Sequence, residues 1–369
     1  MRLVYGVFGY GRGHATRALG VLPELTRRHA VRIFASGRAF EMIAPRYPDV
    51  VETPRLDYTY RTSGRRCLWQ TARDNATKMG DALVGGRHLR RVEAAIRAFG
   101  PDVAISDCET YVHHAAARLG IPRIAFDHFG ILTHCRPPID PRDRLKAVRD
   151  VMSYRMVVGF PARAVVSSFF DAPAVRRGVR CVGPLLREEV RRTRPRRGEH
   201  LLVYLNNGDR QLLPHVEEAL NGCGTPVVVY GTSRRGEDGR VAYRAPSDEG
   251  FLEDVARATA LFTTAGNQLV GEAVYLGKPM LVSPEHTVEQ RVNGMAIERL
   301  GVGRMVAFSR IRAEGIRSFL RDAPRYATTV RVHARDGRAE AVEALERFAA
   351  EVLRERKALG AARVWRYAQ

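Results

Sequence analysis

The chain is poor in cysteine, in lysine and in long apolar runs, and each shortage narrows what it can be. Cys67, Cys108, Cys135, Cys181 and Cys223 are dispersed and contain no C-x-x-C pair. An odd, scattered set supports neither a disulfide framework nor a cysteine-ligated zinc site, and small buried thiols are the ordinary reading. No apolar stretch approaches the roughly 20 residues that span a bilayer. Met1-Arg2 leads straight into the strand-like Leu3-Val4-Tyr5-Gly6-Val7, which is not the pattern of a secretory leader, so a cytoplasmic protein is expected. A convincing Asp-x-Asp metal motif is also missing; the nearest approach is Asp107-Cys108-Glu109.

Lysine occurs only at positions 78, 146, 278 and 357, so the positive charge is nearly all arginine. With 60 Lys+Arg against 40 Asp+Glu, the formal net charge is +20. Codon preference can swap lysine for arginine but does not create an excess of charge. An anionic partner is therefore expected: an anionic membrane surface or a phosphorylated acceptor, with nucleic acid as the alternative. Two segments concentrate the cations. Arg61, Arg65, Arg66, Arg73, Lys78, Arg87, Arg90 and Arg91 fall in one stretch, with Leu68 and Trp69 interleaved. Arg176, Arg177, Arg180, Arg187, Arg191, Arg192, Arg194, Arg196 and Arg197 make the second. A basic loop carrying tryptophan suits a peripheral contact on the inner face of a membrane; the plain alternative is a solvated surface.

At 369 residues the chain exceeds what one core usually serves and fits two domains. Strand-like runs at residues 3–8, 31–35, 103–106 and 124–127 alternate with helical patterns at 15–28 and 89–99. That alternation predicts an α/β fold with a parallel sheet covered on both faces, ligands lying at the carboxyl ends of its strands. A boundary falls around residues 161–184, beside the second arginine-rich segment. A second alternating set follows, with strand candidates at 201–205, 226–230, 241–243, 260–263 and 279–283. Residues 339–359 carry apolar positions at helical spacing.

Two motifs stand out. Thr263-Thr264-Ala265-Gly266-Asn267-Gln268-Leu269-Val270-Gly271-Glu272 reads as a buried strand, a glycine turn and a helix start, with a carboxylate about one and a half turns in. Helix N-termini carry unpaired N–H groups and about half a positive charge, so this turn is a ready phosphate site. Near the N-terminus, Phe8-Gly9-Tyr10-Gly11-Arg12-Gly13-His14, with Arg17, forms a glycine loop after the first strand. Either motif alone is weak, because many nucleotide enzymes share such loops.

Together and in this order the two resemble the nucleotide-sugar signature of GT-B glycosyltransferases, close to the MurG-like, UDP-sugar-dependent superfamily. The resemblance implies two Rossmann-like domains facing across a cleft: residues 1–165 for the acceptor, 184–340 for the nucleotide sugar, and a C-terminal helix, 341–369, crossing back to the first domain. It implies donor contacts at Asn207, Gly208, Arg244, Ala245, Ala265, Gly266, Asn267, Gln268, Glu272, Glu289 and Gln290. Glu272 resembles the ribose-binding glutamate. Glu289 and Gln290 stand where the family contacts sugar hydroxyls, though an ordinary helix start would look the same. Gly11, Arg12, Gly13, Asp127 and His128 would line the acceptor side.

His14 sits past the first strand at the start of a helix, whose dipole disfavours imidazolium and keeps the ring able to accept a proton. It is the candidate general base, with a turn-capping histidine as the alternative. A carboxylate often orients such a base. Asp107, at the end of a buried strand, is the candidate; Glu109 is its rival, and a helix cap is the structural alternative. Asp127 and His128 also read as a satisfied loop pair. The expected activity is transfer of a sugar from a UDP-sugar, or another nucleotide-diphosphate sugar, to a hydroxyl, inverting and without a metal or other cofactor. A UDP-sugar hydrolase or epimerase of the same fold remains an alternative. So does a nucleic-acid-directed glycosyltransferase or binding protein.

Overall fold

A computed structural model describes residues 1–57, 59, 67–196, 198–285 and 287–367. Arg61, Arg65, Arg66 and Arg197 of the two basic segments lie outside the described residues. The first sheet is built from Arg2–Val7 (β1), Ala30–Ala35 (β2), Val51–Glu52 (β3), Val103–Asp107 (β4), Arg123–Asp127 (β5), Arg163–Ser167 (β6) and Val179–Val182 (β7). Its strand order is β3-β2-β1-β4-β5-β6-β7, every pair parallel. Successive side chains of β1 go to opposite faces. Leu3, Tyr5 and Val7 pack with the helix Gly13–Arg28. Val4 packs with Ala104 and the helices that precede and follow β4. Burial on both faces is why these strands read as continuous apolar runs rather than as alternating ones.

The second sheet holds His200–Tyr204 (β8), Val227–Tyr230 (β9), Gly236–Asp238 (β10), Val241–Tyr243 (β11), Ala258–Thr263 (β12), Met280–Val282 (β13) and Gly303–Met305 (β14). Its order is β10-β11-β9-β8-β12-β13-β14, parallel except for the antiparallel edge pair β10–β11. Two doubly covered α/β sheets match the expected GT-B class.

The first sheet runs through β6 and β7 to Val182, past residue 165 where the sequence reading closes the first domain. β7 is a short edge strand interrupted by Arg180, so it lacks the apolar run that marks a central strand. The last helix, Arg338–Tyr367, starts three residues before position 341. Its Ala341, Leu345, Phe348 and Val352 are buried with Leu3, Tyr5 and Val7, so it packs on the first sheet as expected. Arg28 and Arg163 of the first domain reach Glu346 and Glu351 on it, at 3.1 and 3.3 Å.

Loops from the carboxyl ends of the two sheets meet. Arg12, after β1, pairs with Asp248, after β11. The Asn267 side chain, after β12, bonds the backbone of Ser167 and Phe169 at the end of β6, each at 3.4 Å. No helix among the described residues is long and apolar enough to cross a membrane.

Candidate active site

The glycine loop after β1 turns the chain into the helix Gly13–Arg28. Gly9 lies so close to Ser36, at the end of β2, that a Cβ there would overlap the Ser36 carbonyl. Only glycine permits this approach. The tight loop delivers His14 to the first helical turn, with its ring edge-on to Phe8 at 5.2 Å. His14 Nδ1 lies 2.7 Å from Asp107 Oδ1. Arg17 Nη2 lies 3.1 Å from the same nitrogen, but the nearer carboxylate can only accept, which assigns the proton to Nδ1; Nε2 has no hydrogen-bond partner among the described residues. The ring keeps 22% of its surface exposed, while Asp107 is wholly buried.

Arg17, one turn along from His14, completes the group. Its Nε donates to Asp107 Oδ2 at 2.7 Å and its Nη2 to Oδ1 at 2.8 Å. Burial pushes the Asp107 carboxyl up. The Arg17 guanidinium and His14 overcome that effect, and the group sits below its ordinary range. Sequence reading placed Arg17 in the motif without a role; its spacing of three from His14 was the available signal.

Glu109 is not the partner of His14. Its Oε2 accepts from Val112 N at 2.6 Å and caps the helix Thr110–Arg118, the role considered for Asp107. Burial raises the Glu109 carboxyl to about 7. Cys108 between them has φ +53, a left-handed conformation that separates the directions of the two carboxylates. His14, Asp107 and Cys108 bring ligand atoms within 4.8 Å of one another. As a cation site the group is poor. Arg17 already neutralises Asp107, and burial pushes the Cys108 thiol up.

Asp127 is buried behind the dyad with both oxygens in use: Oδ1 accepts from Gly130 N and Oδ2 from the Tyr154 hydroxyl, each at 2.6 Å. His128 is buried where the domains meet. Its Nδ1 lies 2.8 Å from the Ser167 carbonyl, and its Nε2 lies 3.1 Å from both Asn293 Oδ1 and Glu289 Oε1. These two residues, read as acceptor contacts, bridge or underlie the cleft. Gly11, Arg12 and Gly13 line it, and Gly13 faces Gln268 across it.

On the second sheet, Ala265 and Gly266 turn the chain from β12 into the helix Asn267–Tyr275. Ala265 holds φ +65 without being glycine, a strained conformation of the kind that gathers at functional sites. Among the described residues no side chain caps this helix, so its first N–H groups remain available there. Gln268 Nε2 donates to the Leu185 carbonyl at 2.8 Å and to Glu272 Oε1 at 3.0 Å. Glu272 is buried, and Arg187 forks onto both its oxygens at 3.1 and 3.0 Å. Counting two lone pairs per oxygen, Oε2 retains one acceptor position.

Asn207 and Gly208 follow β8. Gly208 has φ +57, and a Cβ there would come within 2.6 Å of the Gly231 carbonyl. Asn206, Asn207 and Gln211 all donate to Glu285 Oε1, at 3.3, 2.8 and 3.0 Å, and Gln290 Oε1 accepts from Glu285 N at 2.8 Å. Glu285 was missed from sequence; a carboxylate between a buried strand and a helix was its only signal. Glu289 accepts from Asn293 Nδ2 at 2.6 Å. Arg244 and Ala245 lie on the exposed turn before Ser247, which caps the helix Asp248–Arg257; Arg244 Nη1 reaches Asp254 at 3.3 Å.

The sequence pattern of glycosyl transferase family 1 matches residues 1–324. No curated protein matches the chain in sequence. Among solved structures, the glycotransferase of kitacinnamycin superposes with a TM-score of 0.66 at 18% identity, over 94% of this chain and 98% of that one. Phytolacca americana UGT2, complexed with UDP-2-fluoro-glucose and pterostilbene, gives 0.65 at 14% identity, over 95% and 98%. MurG of Acinetobacter baumannii gives 0.59 at 14% identity, over 94% and 99%. These likenesses concern the fold.

Proposed function

The chain belongs to glycosyl transferase family 1 and is a glycosyltransferase, and from that premise we propose that it moves a sugar from a nucleoside diphosphate, UDP first among them, to a hydroxyl acceptor by a single inverting displacement with His14 as general base. The observation that carries this reading is the 2.7 Å contact of His14 Nδ1 with the buried Asp107, which leaves Nε2 for an incoming hydroxyl. The acceptor proton passes to Nε2 as its oxygen attacks the anomeric carbon. The bond from that carbon to the diphosphate breaks, and the sugar passes through an oxocarbenium-like state. Asp107, kept ionised by Arg17, holds the tautomer and balances the imidazolium that forms.

The departing diphosphate gains negative charge. The uncapped N–H groups opening the helix Asn267–Tyr275 are suited to receive it, and one well-placed donor is worth about 3–4 kcal/mol to a transition state. The remaining acceptor position of Glu272 suits a ribose hydroxyl. Glu285, Gln290 and Glu289, with Asn207, would meet the sugar. No metal enters this scheme. The basic surface is offered to an anionic partner, taken here as a membrane.

The test is product analysis with nucleoside-diphosphate sugars, donors first ranked by thermal shift. His14→Ala should cut turnover about a hundredfold or more and leave donor affinity nearly unchanged. Full turnover in that variant would sink the assignment. Free sugar released at the same rate with or without any acceptor would make the enzyme a hydrolase, and an isomerised donor would make it an epimerase.

A further inference from the structure

The helix Arg144–Val158 has two apolar faces. Ala147, Tyr154 and Val158 are buried beneath it, with Val151 half-buried. On the opposite side Leu145, Val148, Met152 and Met156 follow one another at helical spacing and are 87%, 58%, 65% and 55% exposed; Phe160, just past the helix end, is 74% exposed. Such a stripe is the pattern of a helix half-sunk in an apolar medium, yet nothing among the described residues covers it. The neighbouring helix Leu68–Val84 adds exposed Trp69, Leu83 and Val84. Its Met79 packs against the cluster that holds Tyr154 and Val158, so the two helices lie on the same side of the first sheet.

The exposed charges of the stripe's own segment are of one sign. Between positions 141 and 160 every exposed ionisable side chain is a cation: Arg142, Arg144, Lys146, Arg149 and Arg155. The two carboxylates are withdrawn. Asp143 is buried and pairs with Lys146 at 3.3 Å and with Arg291, while Asp150 is half-buried beside Arg149. The Arg155 guanidinium lies over the Phe160 ring at 5.6 Å.

We propose that this face, with the helix Arg144–Val158 lying in the lipid–water interface, docks the enzyme on an anionic bilayer. An apolar ridge edged by cations is complementary to acyl chains beneath acidic headgroups. A second copy fits worse, because a two-fold contact would press the same cations together. Nucleic acid fits worse too, because a phosphate backbone leaves Leu145, Val148 and both methionines uncovered. The proposal rests on the anionic-partner reading of the basic surface given above. Tyr154 on the buried side of this helix donates to Asp127 behind the dyad. Asp143, just before its start, pairs with Arg291 of the second domain. Docking therefore sets the cleft beside the membrane.

The test is co-sedimentation with vesicles of phosphatidylcholine alone or with roughly 30% phosphatidylserine, at low salt and at about 0.5 M. The protein should bind the anionic vesicles and release in salt. Met152→Asp combined with Met156→Asp should lower the bound fraction at least about tenfold. Arg144→Glu with Arg155→Glu should do the same without touching the apolar stripe, which covers the case in which the first variant misfolds. UDP titration of each variant, unchanged, separates failure of docking from failure of the donor site. Absence of binding, equal binding to neutral vesicles, or binding indifferent to both variants overturns the proposal. So does retention of RNA abolished by the arginine reversals alone, or a dimer in sedimentation velocity that Met152→Asp dissolves.

Discussion

Arg17 is the residue whose loss should be felt most. Its guanidinium makes bonds of 2.7 and 2.8 Å to a carboxylate with no exposed surface, and is itself 4% exposed. Arg17→Met keeps the volume and removes the charge. Breaking one side of a buried pair costs about 3–5 kcal/mol, because the other charge stays buried. His14 still faces Asp107, so the lower half of that range is expected. The pH dependence gives the sharper check. In the native protein the Asp107 carboxyl is depressed, so its stabilisation is present above the unfolded value near 3.9 and is lost as pH falls through the folded one. In Arg17→Met burial is opposed by His14 alone, and the carboxyl rises from its native position. That variant is penalised for the charge at neutral pH and relieved when the group protonates. The stability gap should therefore be widest near neutrality and narrow towards pH 4. Urea unfolding at both pH values, read by extrapolation to water, measures it. Asp107→Asn added to Arg17→Met should restore part of the loss, since the buried charge is then gone. A gap below 1 kcal/mol at neutral pH, or one that widens on acidification, would refute the pairing as drawn.

Glu272→Ala should weaken UDP binding by about 1–3 kcal/mol, the scale of a hydrogen bond to a charged group; unchanged calorimetry would remove Glu272 from the donor site. Gly9→Ala forces a Cβ into the Ser36 carbonyl and should destabilise by about 1–3 kcal/mol, with a fall in turnover as the His14 loop shifts. Chelation with EDTA should leave sugar transfer unchanged, because Arg17 already holds Asp107; restoration by added divalent ions after chelation would contradict that.

Much of the architecture could be read from short windows of sequence. The strand-like runs at 3–8, 31–35, 103–106, 124–127 and 201–205 are strands, because a strand buried on both faces needs an unbroken apolar run. Elements too short to show a period were not legible: Val51–Glu52, Gly236–Asp238 and Gly303–Met305 are strands only because a neighbour pairs with them. The stripe on Arg144–Val158 was hidden for a related reason, since a helix apolar on two opposite faces has no single amphipathic direction.

The sequence by itself determined the loops that shape the site: the glycine turn that sets His14 at a helix start, and the Ala265-Gly266 turn before an uncapped helix. Turn chemistry and helix ends are local properties, written within a few residues. Only the tertiary structure decided which carboxylate meets which base. Asp107 and Glu109 are alike in type and two positions apart, yet one faces His14 and Arg17 and the other caps a helix, separated by the left-handed backbone at Cys108. Arg187 and Glu272 are 85 positions apart, and His128 and Asn293 are 165 apart. Those pairs form because the carboxyl ends of two separate sheets are brought together, and no local pattern encodes the approach of segments so distant along the chain.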